Sequence, residues 1–320
     1  MSEPLHVARQ GSLEAGGRLV YSATNDGEDP DNWRWPAGHV HIDHVYAHYQ
    51  YPVEQKYAYP ILFNSGGGHS ARVYDTTPDG REGWLTQFLR AGFAVYGVDR
   101  VNTGRAGTDI TKINEVRLGR APAAELPALN RYAAESCWTT FRWGPVYGEP
   151  FADTQFPVDY ASTYYMQTLS NYRDPAEDGK SVDAFVELYD KIGPATLQTW
   201  SSSGLLGYLT AVRRPSLVKG ILAIESSVTA FDNIPESGLE ALASVPIIIV
   251  IGDRAPDRIG ASGAFAERLR ARGGDITVDV LPDAGIRGNG HTLMLEKNND
   301  VIMRRLLAWL QSRVYSEAQR

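Results

Sequence analysis

The residues in this chain best suited to chemistry fall in four short segments: NSGGGHS (64–70), TWSSSG (199–204), AIES (223–226) and GIRGNGH (285–291). A serine hydroxyl is a poor nucleophile at neutral pH unless a base takes its proton, and histidine can take and return a proton there. A carboxylate that orients the histidine completes the set. The serine triplet offers two registers for a nucleophile: Ser202 centred in W-S-S-S-G, or Ser201 centred in T-W-S-S-S with Thr199 and Ser203 in the small-residue places. No literal G-x-S-x-G occurs. Either register suits a sharp strand-to-helix turn that lifts the apical side chain above a sheet, because strand and helix then pass so close that only small neighbours fit.

Among seven histidines, His291 follows the last predicted strand in a glycine-rich loop, giving the chain order serine, acid, histidine. A developing oxyanion needs two backbone N–H donors. One is expected from Ser202, the residue after the nucleophile, and the other from Gly67 in the Gly66–Gly67–Gly68 run, where glycine permits close backbone approach. For the acid there are three candidates. Glu225 directly follows an apolar strand and so needs a partner, which His291 could be. Asp253 and Asp257 lie in GDRAPD, off the G-x-x-D register, whose customary place holds Ala255. His69, Trp200 and Trp143 are the candidate substrate-pocket residues.

These residues need a frame. From Tyr59 onward short apolar strands alternate with amphipathic helices: YPILFN, GWLTQFLRAG and FAVYGVDR, then ATLQTW, a helix over 204–213, KGILAIES, VPIIIVIGD, a helix over 264–273, ITVDVLP and a C-terminal helix. Strand, helix, strand in that order predicts right-handed crossovers and an open, mostly parallel α/β sheet covered on both faces. Before it, GRLVYSAT (17–24) and HVHIDHVYAHYQYPV (39–53), separated by the turn-forming DGEDPDNW, predict an antiparallel lead-in. Residues 107–193 interrupt the rhythm and are loaded with aromatics. The expected division is a core of 1–106 and 194–320 with a lid or cap insertion at 107–193, whose rings either build a small core of their own or line the pocket.

The motifs taken together resemble bacterial serine esterases of the α/β-hydrolase superfamily whose acid is a glutamate after the sixth strand. The likeness runs from Val45 onward through YDTTPDGREGW, FAVYGVDRVNTGRAG, TWSSSG, AIESS, IGDRAPD and GIRGNGHTLMLEKNND. It implies Ser201, Glu225 and His291 as a triad, with Gly67 and Ser202 as oxyanion donors. Ser201 at the apex also puts Pro215, Val218 and residues 221–224 where that fold carries a proline, a hydrophobic residue and the next strand. Two departures touch the site itself: Ser65 stands where histidine is frequent, and Trp200 precedes the nucleophile where histidine often stands.

The implied function is hydrolysis of a carboxylic ester or lactone through an acyl-enzyme, on a small apolar or aryl substrate, with no cofactor and no metal. Acyltransferase or lyase chemistry with the same triad is the alternative. A metal-dependent hydrolase is a weaker rival, raised by HVHIDHVYAH, where a regular strand would put His39, His41 and Asp43 on one face and His44 and His48 on the other. A non-catalytic binding protein on the same fold is a further one.

Bulk properties limit the rest. Forty-three per cent hydrophobic and 22% charged residues describe a globular chain, and a net charge of -7 without basic clusters gives no support to nucleic-acid binding. No stretch approaches the roughly 20 apolar residues of a membrane span, and the first residues lack the apolar core of a signal peptide. With Cys137 as the one cysteine, a cytoplasmic protein is expected, the alternative being the trimmed form of a secreted one. A small-molecule ester is the expected partner, and a homodimer is left open.

Overall fold

The computed structural model describes residues 3–23, 37–173 and 176–315. The segment DGEDPDNW lies outside the described residues. Eight strands form one sheet: β1 (Val7–Ser22), β2 (Gly38–Pro52), β3 (Ile61–Asn64), β4 (Val95–Asp99), β5 (Ala195–Trp200), β6 (Val218–Ile224), β7 (Ile247–Ile251) and β8 (Ile276–Val280). Their order across the sheet is β1-β2-β4-β3-β5-β6-β7-β8. β1–β2 and β2–β4 pair antiparallel, and every pairing from β4 to β8 is parallel. This is the α/β-hydrolase architecture that the sequence predicts.

Both faces of the parallel strands are covered, so the strands read as near-continuous apolar runs whose alternate residues serve different cores. Ile247, Ile249 and Ile251 of β7 face one cluster with α3 (Gly204–Arg213) and α4 (Pro256–Arg270). Ile248 and Val250 face the other, with α1 (Trp84–Ala91) and α5 (Asn299–Arg313). In α5 the buried Ile302, Leu306, Trp309 and Leu310 keep the three-and-four spacing of an amphipathic helix.

Three sequence expectations shift. β1 begins at Val7, ten residues before the predicted run, because its first half is an edge strand whose mostly exposed residues carry no apolar alternation. α4 starts at Pro256, which occupies the first helical turn, where its missing N–H costs nothing. Gly260 and Gly263 dilute the apolar pattern there, so the sequence shows only the second half of the helix. The third shift concerns the stretch 107–193. Its last helix, α2 (Glu177–Ile192), packs on β1, β2 and α3, burying Val182, Ala184, Phe185, Leu188 and Tyr189 beside Ala15, Val45 and Ala47. At Gly16, with φ of +73°, a Cβ would come within 2.7 Å of Ala184 Cα, so this glycine allows the helix to lie against the strand. By its packing α2 is a layer of the core.

What remains of the insertion, to residue 173, contains short helices at Thr111–Arg117, Ala134–Thr140 and Ala161–Tyr165, and a two-stranded ribbon pairing Ala128–Asn130 with Asn171–Arg173. Its rings do not build a separate core. Trp138, Phe141, Trp143, Phe156 and Tyr164 belong to the same cluster as Trp200, Leu293 and the α5 residues. The Trp143 and Phe156 rings stack at 3.6 Å with Tyr164 edge-on, which is close aromatic packing.

Candidate active site

β5 ends at Trp200, the serine triplet makes one tight turn, and α3 begins at Gly204. Ser201 sits at φ of +60°, a left-handed conformation that costs a non-glycine residue about 1–2 kcal/mol. Of the two registers, Ser201 is therefore the strained apex. The small neighbours have their predicted reason: a Cβ on Gly207 would meet Thr199 Cγ2 at 2.6 Å, and one on Gly66 would meet Ser201 Cβ at 3.1 Å. Ser201 is half-buried and Ser202 exposed.

Glu225 follows β6 without a break, and its N–H continues the ladder to Val250 O at 2.9 Å. It too has positive φ, +49°, and it is fully buried. His291 Nδ1 lies 3.0 Å from Glu225 Oε2, which assigns the proton to Nδ1 and leaves Nε2 for the reacting group. Of the three candidate acids, Glu225 reaches the imidazole. Asp253 instead accepts from Asn289 N at 3.0 Å, and Asp257 is exposed in the first turn of α4. The histidine loop rides directly on the end of β7: a Cβ on Gly252 would strike Asn289 O at 2.5 Å and Gly290 O at 2.6 Å. Trp200 ties the serine strand to this loop, its indole N–H donating to His291 O at 2.7 Å.

Burial alone would raise the Glu225 carboxyl. Arg142, His291 and Arg258 reverse that and hold it at about 2. Arg142 Nη2 stands 2.7 Å from Glu225 Oε1, which also accepts Gly252 N at 2.6 Å, and Arg258 Nε stands 3.4 Å from Oε2. His291 is lowered to about 4, first by burial; Glu225 raises it, and the two arginines lower it further. The imidazole is thus neutral, the form a general base needs, across the whole neutral range.

The two residues expected as oxyanion donors are adjacent, and Gly67 N donates to the Ser202 hydroxyl at 2.9 Å. The three pocket candidates are all buried and face protein. His69 bridges Gly67 O at 2.8 Å and the Tyr164 hydroxyl at 2.7 Å, and burial lowers it to about 4. Trp200 is bonded to the histidine loop, and Trp143 is sealed beneath Phe156. They brace the site instead of presenting walls to a substrate.

Arg142 and Arg258 gave no signal in the sequence, and Phe141 showed only as one of the aromatics of the insertion. Phe141 lies parallel to the His291 ring at 5.5 Å, and its carbonyl accepts His291 N at 3.0 Å. The histidine-rich strand departs from expectation as well. Asp43 has φ of +61°, so the period of two slips there: Ile42 and Val45, three apart, both point inward, and the rings of His41 and His44 meet at 5.3 Å, though a regular strand would put them on opposite faces. The Asp43 carboxylate pairs with Arg18 at 2.9 Å and Lys180 at 3.4 Å.

No family model matches the chain. A solved structure described as that of a novel bacterial esterase is 33% identical, covers 98% of this chain and 99% of its own, and superposes with a TM-score of 0.90. The chain belongs to this family of α/β-hydrolase esterases. The probable secreted lipase phiG of a fungal species (strain ATCC 74256) is 28% identical over 83% of this chain and 85% of its own length. That relative is named as secreted, whereas composition here suggested the cytoplasm. Among the described residues no helix of this esterase is long and apolar enough to cross a membrane.

Proposed function

We propose that this esterase cleaves carboxylic esters through an acyl-enzyme on Ser201, with Glu225 and His291 as the other members of the triad. The observation that carries the reading is the bond between a neutral, buried His291 and a buried, ionised Glu225, in a loop tied by the Trp200 indole to the turn whose apex is the strained Ser201. His291 Nε2 takes the Ser201 proton as Oγ attacks the carbonyl carbon. The tetrahedral oxyanion is met by the N–H groups of Ser202 and Gly67, the second turning from the Ser202 hydroxyl to the substrate. His291 then protonates the departing alcohol and activates water for deacylation. Each step needs only protons that the histidine gives and takes. The partly exposed Tyr132 ring, 5.0 Å from Phe141, supports a small apolar or aryl ester, or a lactone, as substrate.

A fluorophosphonate or sulfonyl fluoride probe tests this directly. The adduct is expected on Ser201 with loss of ester hydrolysis. An adduct on Ser202, or full hydrolysis by Ser201→Ala, would sink the assignment.

A further inference from the structure

The insertion does more than cover the site. Residues 141–143 press three contacts into the catalytic loops: Phe141 O accepts His291 N, the Phe141 ring lies over the imidazole, and Trp143 Nε1 reaches Thr292 Oγ1 at 3.4 Å. Between them Arg142 spans three loops at once. Its Nη2 contacts Glu225 Oε1 at 2.7 Å and donates to Gly290 O at 2.9 Å, while its Nε donates to Asp253 O at 2.8 Å. Arg142 is also one of six non-glycine residues with positive φ among the described residues, at +59°, and two of the others are Ser201 and Glu225. Left-handed backbone in a non-glycine residue persists only where its surroundings over-determine it. Here the side chain's contacts to three loops do so.

We propose that Arg142 is a positioning residue of the catalytic apparatus, which keeps Glu225 ionised and aimed at His291, so that seating of the insertion and competence of the triad are one structural event. The inference rests on the triad reading above. Its physical basis is that at rest His291 is neutral, so displacing the insertion would leave the buried Glu225 Oε1 without its contacting cation. Arg258 does not replace it. That guanidinium contacts the oxygen that faces His291, at 3.4 Å, and its Nη1 is occupied by the carbonyls of Glu225 and Ser226 at 2.8 and 2.6 Å. The other charged or titratable groups around the pair are Glu296, behind the histidine loop and close enough to Glu225 to repel it, His69 beyond the imidazole, Asp253 at the end of β7, and Tyr132 beside Arg258. None puts a second cation on Oε1.

The test compares Arg142→Met, Arg142→Lys, Glu225→Gln and the double variant Glu225→Gln/Arg142→Met, with kcat, kcat/KM against pH and melting temperature read for each. Removing Arg142 takes away a charge that lowers both members of the pair, so the acid limb of kcat/KM should move up by about one pH unit. kcat at pH 7 should fall about tenfold or more with little change in KM. Lysine keeps the charge and should hold the limb near its original position. In the Glu225→Gln background the methionine should cost little further activity and should recover stability, because no buried charge is left uncompensated.

An unmoved acid limb in Arg142→Met would overturn the inference, as would fully additive losses in the double variant. If Arg142→Met does not fold, the double variant decides: failure to fold there too makes Arg142 a plain strut. Full activity of Glu225→Gln would instead overturn the triad reading itself.

Discussion

The loop that carries His291 is held from two sides by two glutamates, and the contrast between them explains much of the site. Glu225 in front and Glu296 behind are both fully buried. Burial alone pushes both carboxyls upward, yet Glu225 comes to rest at about 2 and Glu296 at about 7. The difference lies in what touches each one. Glu225 has a guanidinium at 2.7 Å and the imidazole at 3.0 Å. Glu296 has only neutral donors, Gly290 N at 2.7 Å and Asn289 Nδ2 at 2.5 Å, while the charges of Arg142 and Glu225 reach it from farther off with opposite signs. At Glu225 the contacting cation outweighs desolvation, whereas at Glu296 the two neutral hydrogen bonds do not. One carboxylate is thus suited to chemistry and the other to tying a loop.

The contrast would break most visibly at Glu225. Glu225→Gln keeps the shape but removes the charge that stabilises the imidazolium, and kcat should fall by about 10³ to 10⁴ with KM nearly unchanged. Asp257→Asn, at an exposed helix start, should leave activity within about twofold. The opposite ranking in steady-state kinetics would move the acid to the later loop and make Glu225 a structural charge.

A second prediction concerns the packing that holds the insertion over this loop. Trp143 has no exposed surface and stacks on Phe156. Trp143→Ala should cost about 3–5 kcal/mol of stability in denaturant unfolding. The sequence alone suggested altered substrate preference for this variant. A stable protein with a changed acyl-chain profile would restore that reading.

These outcomes also bear on what was legible beforehand. The parallel strands were, because strands buried on both faces are mostly apolar; Ser201 and Glu225 stood out as candidates because each directly follows such a strand at the sheet's carboxyl edge, and His291 because it lies in a glycine-rich loop after the last strand. β1 was only half legible, since an exposed edge strand has no reason to alternate. Arg142 and Arg258 were not legible at all: a lone arginine carries no periodicity, and its partner sits 83 or 33 residues away in a chain that gives no sign of their meeting. Glu296 was hidden likewise, in a run of mixed polar residues after the histidine. The kink at Asp43 was invisible because Asp and His on a strand read as regular alternation until the backbone turns.

The smallest and most particular effect is expected at Glu296, and its sign distinguishes it from Glu225. The carboxyl of Glu296 is raised from 4.5 to about 7, so between those values the folded chain holds a proton that the unfolded chain has released. Stability from this group is full below about pH 4.5 and declines as pH rises towards 7, beyond which the loss is complete. Glu225 behaves in the opposite sense: its lowered carboxyl stabilises the fold above 4.5, and that contribution is lost as pH falls through about 2. Glu296→Gln carries a neutral amide at every pH, with Oε1 in place to accept Gly290 N and the amide group able to face Asn289 once that side chain turns its oxygen inward. The melting temperature of the variant relative to the parent should therefore rise by several degrees between pH 5 and pH 8, while kcat changes little. A difference that stays constant over that range would mean that Glu296 is ionised in the folded protein at pH 5, and that neutral donors alone can hold a buried carboxylate in its charged form here.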